Sequence, residues 1–131
     1  MATIQKQGTV PVTVEKAWKM IAAVDRVTAL TKFVTQCTLE GDRRTCTYAD
    51  GSVFEERVVS IDLDLRRVAY AVTKSPFGLS FHSASMQVLP DRDGARIVWT
   101  TDLSPDSLGA DLAPMFDQLF TDMLSNLSRA A

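Results

Sequence analysis

Three polar side chains fall where period-two spacing turns them toward apolar neighbours: Glu56 in "VFEERVV", Tyr70 in "VAYAV" and the only histidine, His82, in "SPFGLSFHSASMQVLP". In the last stretch His82, Ala84, Met86 and Val88 share one face, and Phe81, Ser83, Ser85 and Gln87 the other. Glu56 shares its face with Phe54 and Val58, and Tyr70 with Val68 and Val72. A carboxylate, a phenol and an imidazole facing one hollow hold what enolisation or aldol cyclisation needs: a base, and donors for the oxyanion that forms. The same groups serve equally as polar anchors for a bound molecule. Each also has a purely structural alternative. A carboxylate in an apolar hollow must be paired, hydrogen-bonded or protonated, and Arg57, adjacent to Glu56, lies on the opposite face. A buried tyrosine commonly finds a partner for stability alone. For His82, burial is expected to favour the neutral ring, with one nitrogen held by Tyr70 or Glu56.

The elements that must position these groups follow from the rest of the pattern. Residues 3–10 alternate as a first strand, and "VPVTVEKAWKMIAAV" then changes to helical spacing, with Thr13 as N-cap and Glu15 in the first turn. A second short helix is expected near "DRVTALTKF", capped by Asp25. From residue 34 to 103 the period is two, in six runs separated by "EGD", "ADG", "DLDL", "SPFG" and "DRDG", all rich in turn residues. With the first strand this predicts an α+β fold with a seven-stranded antiparallel sheet. Matching faces across "DRDG", taken as a four-residue loop, pairs Ala95 with Pro90, Ile97 with Val88 and Trp99 with Met86; across "SPFG", Tyr70 comes opposite or diagonal to His82. The tail is helical again: Leu112, Met115, Phe116, Leu119, Met123 and Leu127 form one stripe. Pro114 fits if Asp111 caps this helix, or if a short helix from Ser107 breaks before a longer one.

Composition narrows the function. The chain has 131 residues, the size of one domain, with 14 basic and 16 acidic residues and a net charge of −2. No basic cluster exists to displace counterions from a nucleic acid or to hold an anionic membrane surface. The longest wholly apolar run, "MIAAV", is far short of the ~20 residues of a membrane span. With no apolar leader at the N-terminus, a cytoplasmic location is expected. Two cysteines and one histidine complete no standard metal set, and no phosphate loop or nucleophile elbow is present, so neither a metal nor a cofactor is expected.

Several ordered motifs carry a resemblance. "VPVTVEKAWKMIAAVDRV" supplies a strand ending in proline followed by a "vWxxxxD"-like helix through Val12, Trp18 and Asp25. "GSVFEERVVSIDLDLRRVAYAV" supplies Gly51, Glu56, Arg57, Asp62 and Tyr70, and "DGARIVWTTDLSP" supplies Gly94, Trp99 and Leu103. Over nearly its whole length the chain resembles the START-like (SRPBCC) helix-grip superfamily and, within it, the polyketide cyclase/dehydrase-like group. The resemblance implies one domain over 1–131 with β-α-α-β-β-β-β-β-β-α order, a curved sheet gripping the long C-terminal helix, and a cavity between them. It implies an apolar small-molecule ligand, such as a lipid, sterol or aromatic polyketide, and in a minority of members cyclisation or dehydration. Phe54, Glu56, Tyr70, His82, Met86, Trp99, Phe116 and Met123 are the expected cavity residues. The leading reading is a carrier or sensor of an apolar, oxygenated molecule; the alternatives are a cofactor-free cyclase, dehydrase or isomerase, and a protein-interaction module whose cavity is filled by side chains. The oligomeric state is left open, a homodimer included.

A separate expectation concerns "QCTLEGDRRTC". A two-residue loop at Gly41-Asp42 makes Glu40 face Arg43, Leu39 face Arg44, and Cys37 face Cys46 in a non-hydrogen-bonded pair. Their Cα atoms are then ~4.5–5.5 Å apart, within disulfide range, although free thiols are expected in a reducing cytoplasm.

Overall fold

Alternating burial along the first and the last two extended runs gives the sheet one inward face. In the computed structural model, which describes residues 1–130, β1 (Ala2–Val10) is followed by α1 (Val14–Ala22) and α2 (Val27–Leu30). Then come β2 (Val34–Glu40), β3 (Arg43–Tyr48), β4 (Val53–Asp62), β5 (Arg67–Lys74), β6 (Phe81–Asp91), β7 (Gly94–Ser104) and α3 (Ser107–Ser128). The seven strands form one sheet in the order β1-β7-β6-β5-β4-β3-β2, with every pairing antiparallel. Sequential strands are neighbours except β1, which crosses over to β7 after the two short helices. This is the predicted helix-grip α+β architecture.

The core lies between one sheet face and α3. Leu112, Phe116, Leu119, Phe120, Met123 and Leu127 of the helix bury their side chains against Val88, Ile97, Trp99 and Leu103 of β6 and β7. At ~1.5–3 kcal/mol for each fully buried large apolar side chain, this interface is the main force holding helix to sheet.

Local signals act as expected in several places. Thr13 Oγ1 accepts a hydrogen bond from the Lys16 amide at 3.1 Å, which caps α1. The β6–β7 pairs Ala95 with Pro90, Ile97 with Val88 and Trp99 with Met86 are all observed. The loop is tighter than expected, because Asp91 and Gly94 also pair and leave only Arg92-Asp93 to turn the chain. Cys37 faces Cys46, and Leu39 faces Arg44.

Two helix ends differ from expectation. Arg26, not Asp25, occupies the N-cap position of α2 and makes no capping side-chain bond. This single turn is held from outside: Asn126 Nδ2 donates to the Leu30 carbonyl at 2.8 Å, while Thr31 Oγ1 and the Lys32 amide both donate to Asp122 Oδ2 at 2.8 Å. Burial works against charge on Asp122, but these donors outweigh it and hold the carboxyl below the usual range. In α3, neither an Asp111 cap nor a break precedes Pro114; one helix runs through it. Pro114 lies on the exposed side with Ala110, whose carbonyl loses its helical donor where water can replace it. The buried stripe continues on both sides and keeps the two halves on one axis.

Gly94 is the position where backbone geometry demands glycine. Its φ is +150°, and a Cβ there would stand 2.2 Å from the Val10 carbonyl oxygen, a backbone atom that cannot swing aside. Gly94→Ala is expected to cost ~2–3 kcal/mol, read as a lower midpoint in urea unfolding, whereas Gly41→Ala, with open space around it, should cost less.

Candidate functional site

Between sheet and α3 lie two adjoining hollows. The larger, about 70 Å³, is closed at one side by Ile21, Val24 and Leu30 of the short-helix region; the smaller, about 40 Å³, extends toward Phe54, His82 and Phe116. Tyr48, Glu56, Tyr70, Trp99 and Leu119 border both. A more open groove of about 220 Å³ continues past Tyr48, Phe77, Met115 and Leu119. Of the residues singled out in the sequence, Met86 and Met123 border the larger hollow, Phe54, His82 and Phe116 the smaller, and Glu56, Tyr70 and Trp99 both.

The polar centre is a buried ion pair. Arg44 and Glu56 are directly opposed on β3 and β4, and Arg44 Nε donates to Glu56 Oε1 at 2.8 Å. The two residues are only 6% and 7% exposed. Arg44 Nη1 also donates to the Val24 carbonyl at 3.0 Å, and the guanidinium lies 5.0 Å from the Tyr70 ring centroid. Burial disfavours the charge on Arg44, but the neighbouring Glu56 carboxylate outweighs it and holds the guanidinium more firmly protonated. Among the described residues no buried side-chain nitrogen or oxygen lacks a partner. Arg44 and Glu56 both border the larger hollow, and their bonds to each other and to Val24 use Nε, Nη1 and Oε1, which leaves Nη2 and Oε2 uncommitted.

Sequence reasoning missed Arg44. Glu56 does have an arginine partner, but two strands are needed to find it; Arg57 instead pairs with Asp42 on the exposed face, at 3.1 Å. The signal was present. The Gly41-Asp42 turn puts Arg44 and Cys46 on one face, and counting across "ADG" sets them opposite Glu56 and Phe54.

Tyr70 accepts a hydrogen bond from Trp99 Nε1 at 2.9 Å, which leaves its own hydroxyl hydrogen for a ligand. Burial and the Glu56 charge push the pKa values of Tyr70 and Tyr48 up, so both stay protonated at neutral pH. His82 differs from expectation. Its ring is 5.9 Å from that of Tyr70, yet Nδ1 accepts the Val72 amide at 2.9 Å, so neither Tyr70 nor Glu56 holds it. Across the β5–β6 ladder Tyr70 pairs with Ala84, diagonal to His82. The bonded nitrogen must be the unprotonated one, which leaves Nε2–H as a donor only. Among the described residues no cluster of ligating side chains could hold a metal ion.

Removing one member of the buried pair leaves the other uncompensated, so Glu56→Leu should cost ~3–5 kcal/mol in urea unfolding, and Arg44→Met/Glu56→Leu should recover most of the loss. Burial lowers the His82 pKa from 6.5 to about 4. The unfolded chain then binds more protons than the folded one between those values, so stability is full above pH 6.5 and falls as pH drops toward 4, by on the order of 2–3 kcal/mol. His82→Phe should flatten this dependence while costing ~1–3 kcal/mol at pH 7, because the Val72 amide loses its acceptor. Unfolding midpoints measured across the pH range check both statements.

Comparison with known proteins accords with the architecture. The family described as polyketide cyclase / dehydrase and lipid transport matches residues 1–131. Similar solved structures include the protein XoxI from Bacillus cereus, at TM-score 0.89 and 18% identity, covering 99% of this chain and 95% of that one. A Thermobifida fusca protein is similar at TM-score 0.84 and 24% identity, covering 99% and 93%. Truncated norcoclaurine synthase from Thalictrum flavum is similar at TM-score 0.76 and 14% identity, covering 98% and 91%. No curated protein sequence matches. At these identities the structures speak for the fold alone, while the family match spans every residue: the chain belongs to the polyketide cyclase/dehydrase and lipid transport family.

Proposed function

We propose that this protein binds an apolar, oxygenated small molecule between sheet and α3, with the Arg44–Glu56 pair and the Tyr70 hydroxyl as its polar anchors. The observation that carries this reading is the buried ion pair bordering a largely apolar hollow between sheet and α3. A carbonyl or carboxylate oxygen suits Arg44 Nη2 and the Tyr70 hydroxyl; a hydroxyl suits Glu56 Oε2. Size limits the ligand. The inner hollows are far below the ~300–1,000 Å³ of a drug-sized site, so a compact molecule fits inside and a longer one extends past Tyr48 and Leu119 into the outer groove. The cytoplasmic location expected from the sequence belongs to the same reading.

Binding is favoured over acid–base catalysis by how the polar groups are already engaged. The basic nitrogen of His82 is spent on the Val72 amide, and one oxygen of Glu56 on Arg44. A filled protein-interaction module is disfavoured by the hollows that the side chains leave beside the ion pair.

Native mass spectrometry of gently purified protein is expected to show a stoichiometric small molecule that Arg44→Met/Glu56→Leu, with its ion pair replaced by apolar groups, does not retain. A protein that carries no such molecule and takes up none from a panel of aromatic ketones, fatty acids and sterols overturns the reading.

A further inference from the structure

We propose that Cys37 and Cys46 form a redox-active dithiol in which a hydroperoxide oxidises Cys37 and Cys46 then closes a reversible disulfide across β2 and β3. The two residues are directly opposed in the ladder, and their Sγ atoms are 3.3 Å apart as free thiols. Counting from the two-residue turn makes this a non-hydrogen-bonded pair, in which Cα atoms approach within disulfide range. Closing the gap to the ~2.05 Å of a disulfide needs side-chain rotation and no slip of the strands.

The two thiols are unlike. Cys37 is half-buried, and the hydrogen bond from Cys46, aided by the nearby Arg44 charge, lowers its pKa to about 7 against the pull of burial. Cys46 is 3% exposed, and the same bond together with burial pushes its pKa up. Cys37 is therefore the nucleophile and Cys46 the resolving thiol. The Cys37 thiolate attacks one peroxide oxygen; the S–O bond forms as the O–O bond breaks, and the departing hydroxide or alkoxide takes a proton. Cys37 is then a sulfenic acid. The Cys46 sulfur displaces its oxygen, which leaves as water with the Cys46 proton, and the S–S bond forms. Two thiols and one hydroperoxide give one disulfide, one water and one alcohol, or two waters from hydrogen peroxide. An external thiol pair reverses the step.

The dithiol touches the ion pair at both of its supports. Cys37 Sγ is 3.9 Å from the Val24 carbonyl and Cys46 Sγ 3.8 Å from Glu56 Oε1, the two oxygens to which Arg44 donates. A disulfide has no S–H, so oxidation leaves Arg44 as the donor to both oxygens.

Thiol chemistry is read without any cavity ligand, so it stands or falls apart from the binding proposal. Reduced full-length chain is titrated with hydrogen peroxide at neutral pH. Both thiols should vanish together, with loss of two hydrogens in the intact mass and no cross-linked chains on a non-reducing gel, and dithiothreitol should restore them. In Cys46→Ser, Cys37 should stop at a sulfenic acid that dimedone traps; in Cys37→Ser, Cys46 should stay unmodified at the same dose. The proposal is overturned if the wild-type protein keeps both thiols at a dose that fully oxidises glutathione. It is equally overturned if disulfides form between chains, or if Cys37→Ser reacts as readily as Cys46→Ser.

Discussion

The site depends on keeping one arginine and one glutamate charged together under an apolar helix. Transferring two charges out of water costs several kcal/mol each, and their attraction offsets this only with good geometry and further hydrogen bonds. Here those requirements reach across the fold. The β3–β4 register must set Arg44 opposite Glu56, the joint after α1 must offer the Val24 carbonyl, and β5 must lay the Tyr70 ring beside the guanidinium. A slip of one residue between β3 and β4 would turn both charges to the other face. The pair thus ties the position of the short helices to the pairing of three strands.

Around that pair the aromatic side chains divide the interior and do not seal it. Trp99 packs edge-on against Phe116 with centroids 4.9 Å apart, and Tyr48 leans on Phe54 at 4.8 Å. Tyr48, Tyr70 and Trp99 separate one hollow from the next and carry polar groups as well, the Trp99 N–H being given to Tyr70. This also explains why solved structures with this architecture resemble the chain closely at 14–24% identity: the sheet and helix need only apolar stripes, whereas chemistry rests on a few inward positions.

Much of this was legible in the sequence because it rests on periodicity and turns. Period two gave seven strands, the Gly41-Asp42 turn gave the Cys37–Cys46 register, and same-face matching brought Tyr70, Trp99 and Met86 to one hollow. What escaped notice involves groups with two claimants. An arginine in a strand reads as solvent-facing until its partner on the next strand is identified. A histidine nitrogen can be taken by a backbone amide, which no side-chain pattern reveals, as Val72 does with His82. Pro114 inside α3 reads as the first turn of a helix capped by Asp111, or as following a break, because propensity is local, while the burial that overrides it is not.

The wall of the larger hollow that belongs to neither the sheet nor α3 is the short-helix region, in which the single turn α2 stands beside Ile21 and Val24. The turn α2 has little cohesion of its own; Leu30 packs in the core, and three hydrogen bonds at Leu30, Thr31 and Lys32 lead to two residues one turn apart on α3, Asp122 and Asn126. Two side chains of α3 therefore hold one side of the larger hollow, so a change at Asp122 or Asn126 acts on the shape of the cavity without replacing a residue that lines it.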